Sequence, residues 1–400
     1  MLPEPPSTPS APSTPAAPDA LDSDPGRLLA RLISFDSVNP DLVPGGAGET
    51  VIADFCSQWL AARGFEVHSL EKRPGRPSLV AIARGTGGGR SLMLNGHLDT
   101  VSLADYDGDP LDPEIRDGKM HGRGAFDMKG GIAAMMVAAA RATAQGPLRG
   151  DVIVACVADE EYGSHGTAEV LESFTADAAI VTEPSHLQLT LAHKGFAWYD
   201  VEIEGRAAHG SRPELGIDAI AKAGHFLVAL EELGQRLAQG PAHPLLGAGT
   251  VHASVIHGGQ EPSTYPAHCR ITLERRTVPG ESADTVEREL TDILDHLAAT
   301  VPDFRYRLTP GLHREPFEAD PEAPIVRTLA RHAEQALGHP PVVRAEPFWT
   351  DCALLDRAGL PCLLFGIDGA GAHAATEYVD LASLDRLTDI LTHTIADFCS

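Results

Sequence analysis

The sequence predicts an α/β domain, in which helices cover a central, mostly parallel sheet, with a smaller α+β domain inserted into it. Three observations support this fold class. Continuous apolar strands alternate with helices before Pro184, strands with alternating polar and apolar residues follow it, and the α/β pattern returns near Arg305. Continuous apolar strands are typical of a sheet that is buried on both faces, whereas alternating strands are typical of a one-sided sheet.

The first part of the chain supplies most of the predicted central sheet. Residues 1–22 are rich in Pro, Ser, Thr and Ala and predict a disordered arm. Residues 23–190 are predicted to form the first part of the α/β domain. Apolar runs predict strands at 78–85, 91–96, 151–159 and 178–183, and apolar periodicity predicts helices at 28–33, 48–63, 129–146 and 168–173.

The insertion is predicted to span residues 191–305, and residues 306–400 are predicted to complete the α/β domain. In the insertion we expect strands at 196–205, 250–257 and 268–276 and helices at 217–237 and 282–299. In the last part we expect helices at 322–337, 351–358 and 381–398 and a strand at 361–365.

Composition excludes several classes of protein. The chain has 400 residues, 43% of them hydrophobic, so it can bury a sizeable core. Its net charge of −25 would repel a nucleic acid. No apolar run is long enough to span a membrane. The six cysteines form no CxxC pair, which excludes a zinc ribbon, and we expect reduced, buried thiols in a cytoplasmic protein.

Potential metal ligands follow two of the predicted strands and a glycine turn. His97 and Asp99 directly follow an apolar strand, and an i, i+2 pair in extended chain faces one side, so Asp99 can orient the His97 ring. Asp127 lies between glycines before a helix. Glu160 and Glu161 are adjacent carboxylates after a strand, which is costly without a compensating cation or proton. Taken singly, His97 can be a surface histidine and Asp127 a helix N-cap.

Three further segments complete the set of candidates. Glu183 ends the strand at 178–183, His373 follows a strand and a glycine loop, and His209 lies in the inserted domain. Because ligands collect at the carboxyl ends of strands in α/β sheets, we consider these residues together. Two histidines and three carboxylates suit two zinc-like ions that share a bridging carboxylate, with Glu160 left as a base. The glycine-rich segment 84–90 also suggests a phosphate loop, but no Lys-Ser/Thr follows it.

The ordered motifs resemble a known enzyme family. GHLDT, GRGAFDMKGG, DEE, TEP, HGSRPE and a final His-x-x-x-Glu occur from residue 96 to residue 377. From about residue 25 to its end, the chain resembles the co-catalytic zinc amidohydrolases and peptidases that include acetylornithine deacetylase, succinyl-diaminopimelate desuccinylase, aminoacylase and carboxypeptidase G.

The resemblance implies a role for each matching residue. His97 and Glu183 would bind one ion, Glu161 and His373 the other, and Asp127 would bridge them. Asp99 would orient His97, and Glu160 would be the general base. The resemblance also implies that the inserted domain is a lid that dimerises and brings His209 to the active site of the neighbouring subunit.

Two departures from the family pattern concern the substrate. Ser263 stands where the family often has Asn, and Glu274 replaces an Asp two residues before Arg276. Arg276 can still hold a substrate carboxylate with its two-pronged guanidinium. Thr350 and Asp351 match a small Thr-Asp or Ser-Asp element of the family near the substrate.

The predicted activity is metal-dependent hydrolysis of an amide bond in N-acyl amino acids, most similar to acetylornithine deacetylase. We expect two Zn²⁺ ions, although Co²⁺ or Mn²⁺ can occupy such ligands. A dipeptidase or carboxypeptidase on the same scaffold is the alternative, and a non-catalytic metal-binding module is a more distant one. The expected partners are a small N-acyl amino acid or short peptide and a second copy of the chain, without nucleic acid or membrane. The acyl group, the side-chain preference and the position of the lid stay open.

Overall fold

A computed structural model describes residues 23–400, so the predicted arm at 1–22 lies outside the described residues. The helices are α1 (Pro25–Ile33), α2 (Thr50–Ala61), α3 (Lys129–Ala144), α4 (His165–Leu171), α5 (Ala219–Gln239), α6 (Ala283–Thr300), α7 (Pro324–Leu337), α8 (Cys352–Arg357) and α9 (Leu381–Phe398). The strands are β1 (Glu66–Leu70), β2 (Ser78–Ala83), β3 (Leu92–His97), β4 (Glu114–Arg116), β5 (Lys119–His121), β6 (Val152–Val157), β7 (Ala178–Val181), β8 (Leu189–His193), β9 (Gly195–Glu204), β10 (Thr250–Gly258), β11 (His268–Thr277), β12 (Arg305–Arg314), β13 (Phe317–Glu318), β14 (Val343–Glu346), β15 (Cys362–Leu364), β16 (Gly369–Ala370) and β17 (Tyr378–Asp380).

The central sheet has nine strands in the order β1-β2-β6-β3-β7-β15-β8-β13, with β14 beside β8. The four central strands β6, β3, β7 and β15 pair in parallel, and β14 is parallel to β8. The pairs β1–β2, β2–β6, β15–β8 and β8–β13 are antiparallel. The predicted α/β class is therefore confirmed, with the parallel pairs concentrated at the centre, where β3 and β6 are buried along their whole length.

Helices flank this sheet in two groups. Helices α1, α3 and α9 pack against one another, and α7 packs against α9. Helices α4 and α8 pack against each other, and they contact strands β6 and β15, respectively. A continuous apolar core fills the space between helices and sheet. No helix in residues 23–400 is long and apolar enough to cross a membrane. All six cysteines are buried free thiols.

A second, four-stranded antiparallel sheet has the order β10-β11-β9-β12 and a hydrophobic core of its own. Helices α5 and α6 supply the apolar side chains that cover it, including Phe226 and Leu290. This agrees with an inserted α+β unit in the predicted fold class.

Strand β12 extends the second sheet beyond residue 305, where the sequence predicts that the insertion ends. Strand β12 pairs with β9 and belongs to the second sheet, so this sheet covers residues 195–314, whereas the predicted limits were 191 and 305. Pro310 and Gly311 interrupt the residue pattern that is typical of a strand, so the sequence did not indicate β12. They are tolerated because β12 is an edge strand whose register shifts between Pro310 and His313.

Candidate metal centre

The predicted metal ligands converge at the carboxyl ends of the central parallel strands. His97 is the last residue of β3, Glu161 lies in the turn after β6, and Glu183 follows β7. His373 lies on the loop between β16 and β17, beyond β15, and Asp127 precedes α3. Parallel strands that pair in register end at one edge of the sheet, and this brings residues distant in sequence together.

Two groups of three potential ligands share Asp127. In the first group, His97 Nε2 lies 3.1 Å from Asp127 Oδ1 and 3.3 Å from Glu183 Oε1. In the second, His373 Nε2 lies 3.3 Å from Asp127 Oδ2 and 3.0 Å from Glu161 Oε2. Each oxygen of Asp127 thus faces a different histidine, and the ligand atoms of each group lie within 4.8 Å of one another. This arrangement can hold two cations with one bridging carboxylate.

The chemistry of the cluster fits bound cations. Glu161 Oε1 is buried and has no hydrogen-bond partner. Burial, and next the charge of Asp127, raise the pKa of Glu161 to about 7. Burial likewise raises the pKa of Glu183 to about 7 against the opposing effect of His97. Buried carboxylates that repel one another in this way need protons or cations for compensation.

The two histidines respond to the same negative charges. Burial opposes the charged form of His97, but the charge of Glu183 and the contacts with Asp127 outweigh it and raise its pKa well above the usual range. Interactions with Asp127 and Glu161 raise the pKa of His373 to about 10, although its side chain is 55% exposed. The cluster therefore binds protons strongly when no cation is present.

Asp99 holds the end of β3 against the turn after β6. Its backbone carbonyl lies 2.9 Å from His97 Nδ1, whereas its carboxylate is 3.6 Å from that nitrogen. Its side chain accepts hydrogen bonds from the backbone N–H groups of Glu160 and Glu161, both at 3.1 Å. The nearest partner of His97 Nδ1 is thus the backbone of Asp99. A proton shared between His97 Nδ1 and this carbonyl leaves Nε2 directed at Asp127 and Glu183, the other two candidate ligands of its group.

Glu160 lines the same cleft and belongs to neither ligand group. Burial, and next the charge of Glu183, raise the pKa of Glu160 well above its usual range. A carboxylate beside a metal centre, with no place among its ligands and with a raised pKa, is suited to proton transfer.

Two buried polar residues outside the predicted set support the site. Glu377 accepts hydrogen bonds from Arg123 at 2.9 Å and from the backbone N–H groups of Gly124, Phe126 and Asp127 at 2.9–3.0 Å, which fixes the loop that carries Asp127. Asn39 donates to the Asp99 carboxylate at 2.8 Å. The final His-x-x-x-Glu motif contains Glu377 but gives no hint of this contact, and no sequence pattern singles out Asn39.

The residues predicted near the substrate fall at different places. Thr350 lines the cleft, whereas Asp351 lies outside its lining, buried, where it accepts a 2.6 Å hydrogen bond from Thr167. His209 and Ser263 lie together in the second unit, where the backbone N–H of Gly210 donates to the Ser263 carbonyl at 2.7 Å. Neither His209 nor Ser263 is among the described residues that line the cleft.

Arg276 also lies outside the cleft, but two aromatic side chains, Phe196 and Trp349, lie between it and the cleft. Its Nε donates to Glu274 at 2.7 Å, and its guanidinium lies 5.4 Å from the centre of the Phe196 ring. Phe196 meets Trp349 edge-on at 6.4 Å, and Trp349 lines the cleft. Strand β9 of the second sheet therefore touches the wall of the metal cleft through Phe196.

The cleft has a volume of about 370 Å³ and includes residues without a predicted role. Its lining is Phe126, Asp127, Glu160, Glu161, Glu183, Pro184, His186, Arg344, Glu346, Phe348, Trp349, Thr350, Ala372 and His373. His186, Arg344, Glu346 and Phe348 carried no signal in the sequence, because they follow no strand-end or glycine-turn pattern.

Comparison with known proteins agrees with this geometry. The chain is 33% identical over 331 residues to an acetylornithine deacetylase of Myxococcus xanthus, and this alignment covers 80% of this chain and 84% of that protein. It is 27% identical to an N-formyl-4-amino-5-aminomethyl-2-methylpyrimidine deformylase of Halalkalibacterium halodurans over 93% of each chain. A dinuclear metal-binding peptidase of Bacillus subtilis shares the fold, with a TM-score of 0.72, 15% identity and coverage of 93% of this chain and 97% of that one.

The family match covers most of the chain. Residues 93–397 match the profile of peptidase family M20/M25/M40, a range that includes both candidate ligand groups. The chain therefore belongs to peptidase family M20/M25/M40 and is a metal-dependent hydrolase of amide bonds.

Proposed function

We propose that this protein removes the acyl group from N-acyl amino acids with the help of two zinc ions. The position of Asp127 carries this proposal, because its two carboxylate oxygens face two separate His–Glu pairs. His97 and Glu183 would hold one ion, and Glu161 and His373 the other. Both relatives have names that describe removal of a small acyl group, acetyl in one case and formyl in the other.

The ions would polarise the amide carbonyl and lower the pKa of a bound water. Glu160 lines the cleft beside both ligand groups and is placed to accept the proton of the attacking water. It would then deliver that proton to the leaving amine. General acid–base assistance of this kind contributes about 10²–10⁴-fold to rate.

Other side chains would prepare the site for this step. Asp99 keeps the His97 ring in place and ties it to the turn that carries Glu160. Glu377 fixes the loop of the bridging Asp127. Arg276 would hold the substrate carboxylate, with Ser263 and Thr350 as further polar contacts, once the second unit approaches the cleft. Asp351 is buried outside the cleft lining and accepts a hydrogen bond from Thr167.

The test of this function combines metal removal with a substrate panel. The purified protein is stripped with a chelator, assayed, and assayed again after addition of Zn²⁺, Co²⁺ or Mn²⁺. We expect N-acetyl amino acids to be hydrolysed only after metal is restored. Full activity of the metal-free protein, checked by elemental analysis, would refute the two-metal proposal. Faster turnover of dipeptides than of N-acetyl amino acids would favour the alternative, a dipeptidase or carboxypeptidase.

We also propose that the second unit acts as a lid and joins two copies of the chain. Strand β10 is an edge strand, and most of its residues are exposed, with Ile256 48% exposed. Exposed edges of this kind are normally covered. A closed two-fold dimer would let His209, remote from its own cleft lining, stabilise the oxyanion in the cleft of the partner.

A mixing experiment tests this arrangement. The Glu160→Gln and His209→Ala variants are each expected to be nearly inactive. If His209 acts across the dimer, one site of each heterodimer carries both changes and the other carries neither. Subunit exchange should then restore activity, to about half of the wild-type value per heterodimer at most. A mixture that stays inactive, or a fully active monomer, would contradict the proposal.

The six buried free thiols support a cytoplasmic location, where cysteines stay reduced. Cell fractionation with an antibody against the protein would test this assignment.

A further inference from the structure

We infer that this hydrolase selects substrates that carry an aromatic or other large apolar group beside the scissile amide, held against Phe126, Phe348 and Trp349. The inference rests on the proposed N-acyl amino acid hydrolysis and concerns the aromatic residues that line the cleft beside the candidate metal ligands. None of these three rings takes part in the proposed proton transfer or metal binding.

Phe348 is the outer part of this wall. Its side chain is 44% exposed, and it lines the cleft that contains Glu160 and His373. A large aromatic side chain left half in water beside a catalytic cleft gains free energy when an apolar group of the substrate covers it. Phe348 thus offers apolar surface at the place where a substrate must enter.

Trp349 is the rigid part of the wall. Its indole N–H donates to the Glu315 carbonyl at 3.1 Å, and its ring meets Phe196 and His193 edge-on at 6.4 and 6.1 Å. Phe126 is buried and packs at 5.7 Å from the His186 ring. Rings held by such contacts are preorganised for a flat apolar group, because little side-chain entropy is lost on binding.

The charges on this side of the cleft are already paired. Arg344 and Glu346 form a two-pronged ion pair, with Nε at 2.7 Å from Oε1 and Nη2 at 3.1 Å from Oε2. His186 Nδ1 lies 2.6 Å from Asp368 Oδ1. Among the described lining residues, the other carboxylates are Asp127, Glu160, Glu161 and Glu183 of the metal centre.

This pairing disfavours a cationic side chain such as that of ornithine. An ammonium group placed against the aromatic wall would lose hydration without gaining an unpaired carboxylate there, and a cation–π contact with a ring would offset only part of that loss. An apolar group meets no such cost. The cleft volume of about 370 Å³ also suits one ring and a short backbone rather than a long peptide.

The test compares four substrates of the zinc-loaded, full-length enzyme. N-acetylphenylalanine carries a ring on the amine side of the amide and N-benzoylglycine a ring on the acyl side. N-acetylornithine carries a cation, and N-acetylglycine carries no side chain. We expect at least one aromatic substrate to exceed both N-acetylornithine and N-acetylglycine about tenfold or more in kcat/KM. The better of the two identifies the side on which the ring binds.

Variants of Phe348 connect the preference to the wall. Phe348→Ala should reduce the ratio of kcat/KM between the better aromatic substrate and N-acetylglycine about three- to tenfold, mainly through KM. Phe348→Leu should restore most of the ratio, since it restores apolar area. Val342→Ala is the matched control: Val342 is exposed on the same segment, lies outside the cleft lining, and should leave the ratio unchanged.

The outcomes separate the two proposals. If N-acetylornithine or N-acetylglycine is hydrolysed as well as the aromatic substrates, or if Phe348→Ala leaves the ratio unchanged, the inference is wrong and the proposed deacylation stands. If the zinc-loaded enzyme hydrolyses none of the four, the proposed function fails, and the inference fails with it.

Discussion

Binding of Zn²⁺ to the metal-free protein should release protons in a number that the site geometry determines. The candidate ligands must lose their protons to coordinate metal. Burial raises the pKa of Glu161 and Glu183 to about 7, while the neighbouring carboxylates raise the pKa of His373 to about 10 and the pKa of His97 well above its usual range. At pH 7 both histidines therefore carry a proton, and the two glutamates are partly protonated.

The magnitude and its pH dependence follow from these values. Saturation with two equivalents of Zn²⁺ at pH 7 should release more than one proton per chain, because both histidines and the partly protonated glutamates must lose protons. At pH 8.5 the glutamates have already lost theirs, so the release should be smaller than at pH 7. Because protons compete with the metal, the apparent zinc affinity should rise with pH across this interval.

Isothermal titration calorimetry in buffers with different ionisation enthalpies measures the release directly, since the slope of observed enthalpy against buffer enthalpy is the number of protons. The His268→Ala variant is the control, because His268 is exposed on β11 and outside both ligand groups, and it should give the same slope. A release below one proton at pH 7, or a release that grows towards pH 8.5, would refute the assignment of this cluster as the metal centre.

Three further substitutions test the residues around the metals. Glu160→Gln should lower kcat about 10²–10⁴-fold while elemental analysis shows unchanged metal content, and a loss of less than tenfold would exclude Glu160 as the base. Asn39→Ala removes hydrogen bonds to the carboxylates of Asp99 and Asp159, so the free energy of unfolding in urea should fall by about 2–4 kcal/mol; a change below about 0.5 kcal/mol would contradict this role. Glu377→Gln breaks a buried ion pair with Arg123 and should lower the free energy of unfolding in urea by about 3–5 kcal/mol. An unchanged free energy of unfolding would contradict this role of Glu377.

The substrate preference adds a practical consequence. In this chain the charged pair Arg344–Glu346 and the exposed ring of Phe348 line the cleft. Membership of the family indicates the class of reaction, and the inferred aromatic wall indicates which substrates to test first. Screening for the substrate should therefore include aromatic N-acyl amino acids from the beginning.

The candidate ligands were accessible to sequence interpretation because they follow a local rule. His97, Glu161 and Glu183 each come directly after an apolar strand, and parallel neighbours in a sheet end at the same edge. Apolar runs and the residues that follow them can be read from a few consecutive positions. The same local reading failed for β12, where Pro310 and Gly311 interrupt the pattern of a strand that only its pairing with β9 reveals.

By itself, the sequence indicated the α/β class, the approximate positions of the central strands and the candidate ligands near their ends, since these depend on short-range periodicity and on turn residues. Only the tertiary structure decided that Glu377 and Asn39 support the centre, that Arg276 packs on Phe196, which contacts Trp349 of the cleft, and that Phe126 and Phe348 line the same cleft. These contacts join residues far apart along the chain. A side chain's neighbours across such separations depend on how sheets and helices pack, and no spacing in the sequence encodes them.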